Sequence, residues 1–139
     1  MYQPLILLVE DDPRAREGSA EFLERRGFRV AKAGTAEGAL ATARELVPDV
    51  IVTDIALPGK DGFALARDLR LHTRTRAVPV LAMTAYWATD LHERAERAGI
   101  ITAILKPCQP EHLIAELQRI LMRPRDPLPP ARYVSLPAI

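Results

Sequence analysis

Five short apolar runs, each followed by an amphipathic stretch, constrain this chain more than any other feature. Strong runs lie at Leu5–Val9, Val50–Thr53, Val78–Met83 and Ala103–Leu105, and a weaker alternating run lies at Arg29–Ala33. The strong runs are three to six residues long and mostly unbroken by charge, as expected of strands covered on both faces. Arg29–Ala33 reads as an edge strand. The segments between, about residues 13–26, 35–46, 62–72, 86–98 and 110–122, read as helices. In the last of them Leu113, Ile114, Leu117, Ile120 and Leu121 recur at helical spacing. Five β–α pairs in series predict an α/β fold: a doubly wound parallel sheet, right-handed crossovers and helices on both faces.

Punctuation supports this pattern. Asp12-Pro13 is an N-cap followed by proline at the first helical position, and Pro110 opens the last helix in the same way. Pro58-Gly59 marks a turn and Asp61 can cap the third helix. Gly27, Gly34 and Gly99 stand where a left-handed residue is wanted. At 139 residues the chain provides one domain, about residues 1–122. The single cysteine, Cys108, allows no internal disulfide, which fits a reducing compartment. No apolar stretch approaches the roughly 20 residues needed to span a bilayer, and the N-terminus lacks the basic start of a signal peptide. A cytoplasmic protein without membrane contact is expected. The formal net charge of +1 gives no bias toward polyanions.

Ligands of doubly wound sheets sit at the carboxyl ends of the strands. Strand one ends in Glu10, Asp11 and Asp12; strand three in Asp54; strand four in Thr84; strand five in Lys106-Pro107. Carboxylates gathered so closely repel one another unless a cation compensates. Hard oxygen ligands with room for water suit Mg²⁺. An arriving phosphoryl group would need its charge neutralised, and Mg²⁺, Lys106 and Thr84 could each stabilise a different oxygen. A carboxylate can be the nucleophile and form an acyl phosphate; Asp54, alone at its strand end, is the candidate. Each residue also has a plain structural reading. Asp12 serves as an N-cap, Glu10 and Asp11 as solvated loop acids, Asp54 as a turn cap, Thr84 as a strand end and Lys106 as a surface charge. Only their joint arrival at one edge favours chemistry.

The segments LILLVEDDPRAR, PDVIVTDIALPGKDGFALARDLR and VPVLAMTAY, followed by Gly99 and then Lys106-Pro107, resemble the receiver domain of bacterial two-component response regulators. The resemblance covers about residues 4–122. It implies a five-stranded flavodoxin-like fold with strand order 2-1-3-4-5, and Asp54 as the phosphoacceptor. It implies Mg²⁺ held by Asp11, Asp54 and the backbone carbonyl of Ala56, with Glu10 acting through water. Thr84 and Lys106 would bind the phosphoryl oxygens, and the bond to Pro107 would be cis. The implied donor is a histidine kinase or a histidine phosphotransfer protein. The implied role is a phosphoprotein of a phosphorelay, not an enzyme beyond assisting its own phosphotransfer and dephosphorylation.

Two positions depart from the family pattern. Ala103 stands where the family usually has Tyr or Phe, whose rotamer reports phosphorylation. Tyr86 and Trp87, expected to open the fourth helix, are the nearest bulky substitutes. Cys108 follows Pro107 where an apolar residue, often Phe, is common, and reads as a buried inert thiol. Residues 123–139 are a Pro-rich tail, with five prolines in 17 positions. No output domain and no direct DNA binding are expected, so the chain reads as a stand-alone receiver, monomer or weak homodimer, acting on a downstream protein. In the tail, Tyr133, Val134 and Leu136 are expected to dock on or near the face of helices four and five with strand five, or on a second copy. The alternative is a receiver-like adaptor that works by partner binding with little or no phosphorylation. A Mg²⁺-dependent phosphohydrolase is the weakest reading, because Ala56 stands where such enzymes carry a second Asp.

Overall fold

The computed structural model describes residues 2–86 and 88–122, together with the backbone of residues 132–134. Strands β1 (Leu5–Val9), β2 (Arg29–Ala33), β3 (Val50–Asp54), β4 (Val80–Thr84) and β5 (Thr102–Leu105) alternate with helices α1 (Pro13–Arg25), α2 (Ala36–Leu46), α3 (Gly62–Arg70), α4 (Leu91–Ala98) and α5 (Pro110–Leu121). A further strand, β6, runs over Arg132–Val134. All pairings are parallel and the order is β2-β1-β3-β4-β5-β6. The expected flavodoxin-like order 2-1-3-4-5 is therefore present, with one strand more than the five read from the sequence. β6 escapes sequence reading because it has three residues amid prolines, and its partner strand lies about 30 residues back. Leu136 lies outside the described residues.

The strands alternate their side chains between two cores. Leu7, Val9, Ile51, Val80 and Ala82 face α2, α3 and α4, where Ala39, Ala43, Leu65 and Ala95 are buried. Ile6, Leu8, Val52, Leu81 and Ile104 face α1 and α5, meeting Leu23, Leu113 and Leu117. Because every pairing is parallel, every strand's carboxyl end lies on one rim.

Local signals set the helix starts. Asp12 Oδ2 accepts from Ala15 N at 2.9 Å, Thr35 Oγ1 from Gly38 N at 3.0 Å, and Asp61 Oδ1 from Ala64 N at 2.9 Å. The expected helix over 86–98 is shorter: it begins at Leu91, not at Tyr86. The backbone of Tyr86 is tied instead to the Thr84 hydroxyl, and the first helical bond runs from Arg94 N to Asp90 O. Gly27 and Gly99 are left-handed as expected, at φ 95° and 86°. Gly34 is not; its place is closed by Arg16, whose Nη1 would lie 2.9 Å from an added Cβ. An unexpected residue, Val47, takes the left-handed cap of α2 at φ 46°.

Candidate functional site at the carboxyl rim

The rim gathers the residues singled out at the strand ends. Glu10 leaves β1, Asp54 closes β3, Thr84 closes β4 and Lys106 follows β5. Glu10, Asp11 and Asp54 each present a carboxylate oxygen, and these oxygens all lie within 4.8 Å of one another. Lys106 Nζ stands 2.5 Å from Asp54 Oδ1 and 3.5 Å from Glu10 Oε1. Asp12 does not join the cluster. Its carboxylate caps α1, and its N–H donates to Glu10 Oε2 at 3.2 Å. Ala56 is exposed, two residues beyond Asp54, and the Lys106–Pro107 bond is cis. Trp87 lies outside the described residues, and Tyr86 is exposed.

Charge balance at the rim is incomplete. Burial, and then a hydrogen bond shared with Asp54, hold the Glu10 carboxyl above the usual carboxylate range. Burial pulls the Lys106 ammonium down, but its bonds and charge pairing with Asp54 and Glu10 outweigh that and raise it. Lys106 thus pairs with two of the three clustered carboxylates, Glu10 and Asp54. A compact set of hard oxygen donors with two members partly buried and Asp11 open to water suits Mg²⁺, which binds through few carboxylates and keeps several waters. Glu10, Asp11 and Asp54 fit that ion.

Thr84 is buried, 7% exposed. Its hydroxyl donates to Tyr86 O and accepts from Tyr86 N, both at 3.1 Å, so it is occupied by the loop rather than by Asp54.

Two residues that build the site were not singled out from sequence. Arg16 on α1 donates to the Glu10 carbonyl at 2.8 Å, fixing the acidic loop to the first helix. Gly62 opens α3 against the backbone of the acceptor strand: a Cβ there would lie 2.5 Å from Asp54 O and 2.9 Å from Ile55 Cα. Only glycine permits that approach. The glycine was visible in the sequence, but its neighbour across the loop was not.

Beside the rim, under α1 and α5, lies a cavity of about 290 Å³ walled by Leu8, Phe22, Met83, Leu113 and Cys108. Glu10, Asp54 and Lys106 stand at its margin. Burial pushes the Cys108 thiol up, and the Lys106 charge opposes this only in part.

Fold and rim together define a class: a flavodoxin-like α/β protein with a carboxylate, ammonium and hydroxyl site at its sheet's carboxyl edge. The family model for the response regulator receiver domain matches residues 6–118, and the chain belongs to that family. It is similar to the transcriptional activator protein PfeR of Pseudomonas aeruginosa, 39% identical over 130 residues, covering 93% of this chain and 42% of that protein. The DNA-binding response regulator MtrA of Mycolicibacterium smegmatis is 34% identical over 131 residues, covering 94% of this chain and 55% of that one. Among solved structures, chemotaxis response regulator CheY4 of Vibrio cholerae superposes with a TM-score of 0.80 at 28% identity, covering 86% of this chain and all of that one. The chain spans about half the length of the curated relatives PfeR and MtrA. No helix among the described residues is long and apolar enough to cross a membrane.

Proposed function

We propose that Asp54 accepts a phosphoryl group from the phosphohistidine of a histidine kinase or histidine phosphotransfer protein, and that the domain signals the change by protein contact. The observation that carries this reading is the Asp54 carboxylate, with Lys106 Nζ at 2.5 Å and the oxygens of Glu10 and Asp11 within 4.8 Å. An Asp54 oxygen attacks phosphorus, the P–N bond breaks, and the imidazole leaves with the electron pair. Lys106 holds positive charge beside the accepting oxygen throughout. The Thr84 hydroxyl donates to a phosphoryl oxygen once it gives up Tyr86. Bound Mg²⁺, held by Asp11, Asp54 and the Ala56 carbonyl with Glu10 through water, would neutralise the transferred group's remaining charge.

The chemistry is confined to the domain's own phosphorylation and dephosphorylation; turnover of other phosphate esters is not part of it. The setting is cytoplasmic, the state a monomer or weak homodimer, and direct DNA binding by these residues is not part of the reading. The alternative of an adaptor with little phosphorylation is not favoured, since acceptor, ammonium and hydroxyl all stand on one rim and the relatives include a DNA-binding response regulator.

Incubation with acetyl phosphate and Mg²⁺, read by intact mass, tests the proposal. One phosphoryl addition is expected, lost in Asp54→Asn and reduced to background in Asp11→Asn. An adduct that persists in Asp54→Asn overturns the assignment.

A further inference from the structure

Without β6, β5 would be the last strand of the sheet, and it makes an uncharged edge. Thr102, Ala103 and Ile104 are 0–5% exposed, with no charged residue among them. An apolar edge with free backbone donors and acceptors is a template for another strand. Here the chain supplies that strand itself: Arg132, Tyr133 and Val134 pair in parallel with Thr102, Ala103 and Ile104.

The register gives the pairing a second meaning. Val9, Thr53, Ala82 and Ala103 lie side by side across β1, β3, β4 and β5, and Tyr133 is the next position in that row. Ala82 belongs to the core against α3 and α4, so the row occupies that face of the sheet. Thr84 lies two residues beyond Ala82, and a two-residue step along a strand returns to the same face. One alanine, Ala103, therefore separates the Tyr133 position from Ala82 of β4, the strand that ends in the rim hydroxyl. In the described state that hydroxyl is held by Tyr86, and the β5 edge is covered. Moving it toward Asp54 releases the Tyr86 segment, which leads into α4 over the same face.

We propose that the β5 edge is a strand-binding site whose resident is this chain's own segment 132–134, anchored at Tyr133 beside Ala103, and that phosphorylation of Asp54 loosens that resident. The coupling rests on the reading of Asp54 as phosphoacceptor; the edge site does not. The two states differ in the partner of the Thr84 hydroxyl and in what stands beside Ala103, which is the differential interaction a population shift requires. The segment 123–131 that joins α5 to β6 contains four prolines, which restrict the free tail and reduce the entropy lost on redocking.

Hydrogen exchange of the full chain, followed by mass spectrometry, tests both halves. In the resting protein, amides 132–134 and the β5 stretch should exchange at least tenfold more slowly than in Tyr133→Ala, while Tyr133→Phe keeps the protection. After acetyl phosphate and Mg²⁺, samples whose intact mass shows the addition should lose protection at the same amides. Resting amides that exchange at the Tyr133→Ala rate overturn the edge site. Unchanged protection in a fully labelled sample overturns the coupling alone. If no addition forms, the phosphoacceptor reading fails and the coupling with it, and the Tyr133→Ala comparison still decides the edge.

Discussion

The two lateral edges of the sheet's five-stranded body are protected by different means. β2 exposes Arg29 and Lys32. Lys32 pairs with Glu17 of α1 at 3.0 Å, and the Arg29 side chain donates to Gln3 O at 3.0 Å. Such charges discourage a further strand. β5 carries no charged residue of its own, the Arg119 guanidinium of α5 reaching it only at the Thr102 hydroxyl, and it is covered by β6 instead. One edge is finished by its own side chains and stays constant; the other is finished by a segment that can leave. The carboxyl rim repeats the second case, because its three carboxylates want more positive charge than Lys106 provides. The places in this fold that can change state are those whose completion comes from elsewhere in the chain or from outside it.

The contrast between the edges breaks most visibly in their apolar residues. Ile104 is fully buried on β5 and Val30 half-buried on β2. Ile104→Ala should cost about 2–5 kcal/mol, the range for a buried aliphatic truncated to alanine. Val30→Ala should cost about 1 kcal/mol, since part of that side chain already meets water. Urea unfolding of both variants measures this, and equal losses would show that β5 is no more closed than β2.

Two changes at the rim should act with opposite signs. Lys106→Met removes the cation beside Asp54 and should destabilise the metal-free protein by about 1–2 kcal/mol, between the values for exposed and buried pairs. Added Mg²⁺ should recover part of that loss in thermal melts. Glu10→Gln removes the carboxylate that burial and Asp54 disfavour, so in EDTA at pH 7.5 its melting temperature should exceed that of the parent by a few degrees, about 1 kcal/mol. The parent's raised Glu10 is penalised above its folded pKa and relieved as pH falls through it toward 4.5. The gap between the two proteins should therefore narrow at pH 5. A gap of constant size across that range would show that Glu10 is not the group responsible.

How far the sequence disclosed this molecule depends on whether a feature is local. β1 and β3 were readable because buried parallel strands are continuous apolar runs, and the rim because strand ends in such a sheet fall together. The N-caps at Asp12 and Asp61 need only residues three positions apart. The start of α4 was misread, because what holds residue 86 out of the helix is the Thr84 hydroxyl and not a breaker residue. Gly62 and Arg16 were passed over because their partners, Asp54 and the Glu10 carbonyl, are met only in space. β6 was missed as a strand for the same reason: Tyr133 has meaning only beside Ala103.

The smallest expected effect lies just past the end of β5. Cys108 is one wall of the cavity of about 290 Å³ between α1 and α5, and its thiol is held protonated by burial. Side chains lining that partly open pocket lack packed neighbours on the pocket side. The side chain is partly buried and packs against the α1–α5 core, so a larger apolar residue can grow inward without displacing backbone. Cys108→Leu should raise stability by about 0.5–1.5 kcal/mol, as cavity-filling changes commonly do, and leave phosphoryl labelling of Asp54 intact. Overpacking would reverse the sign, and a cavity occupied by ordered water held at Glu10 and Lys106 would cancel the gain. A denaturant midpoint that rises with unchanged slope supports the filled cavity; an unchanged midpoint shows that the space is already occupied, and a midpoint that falls shows that it is too small for leucine.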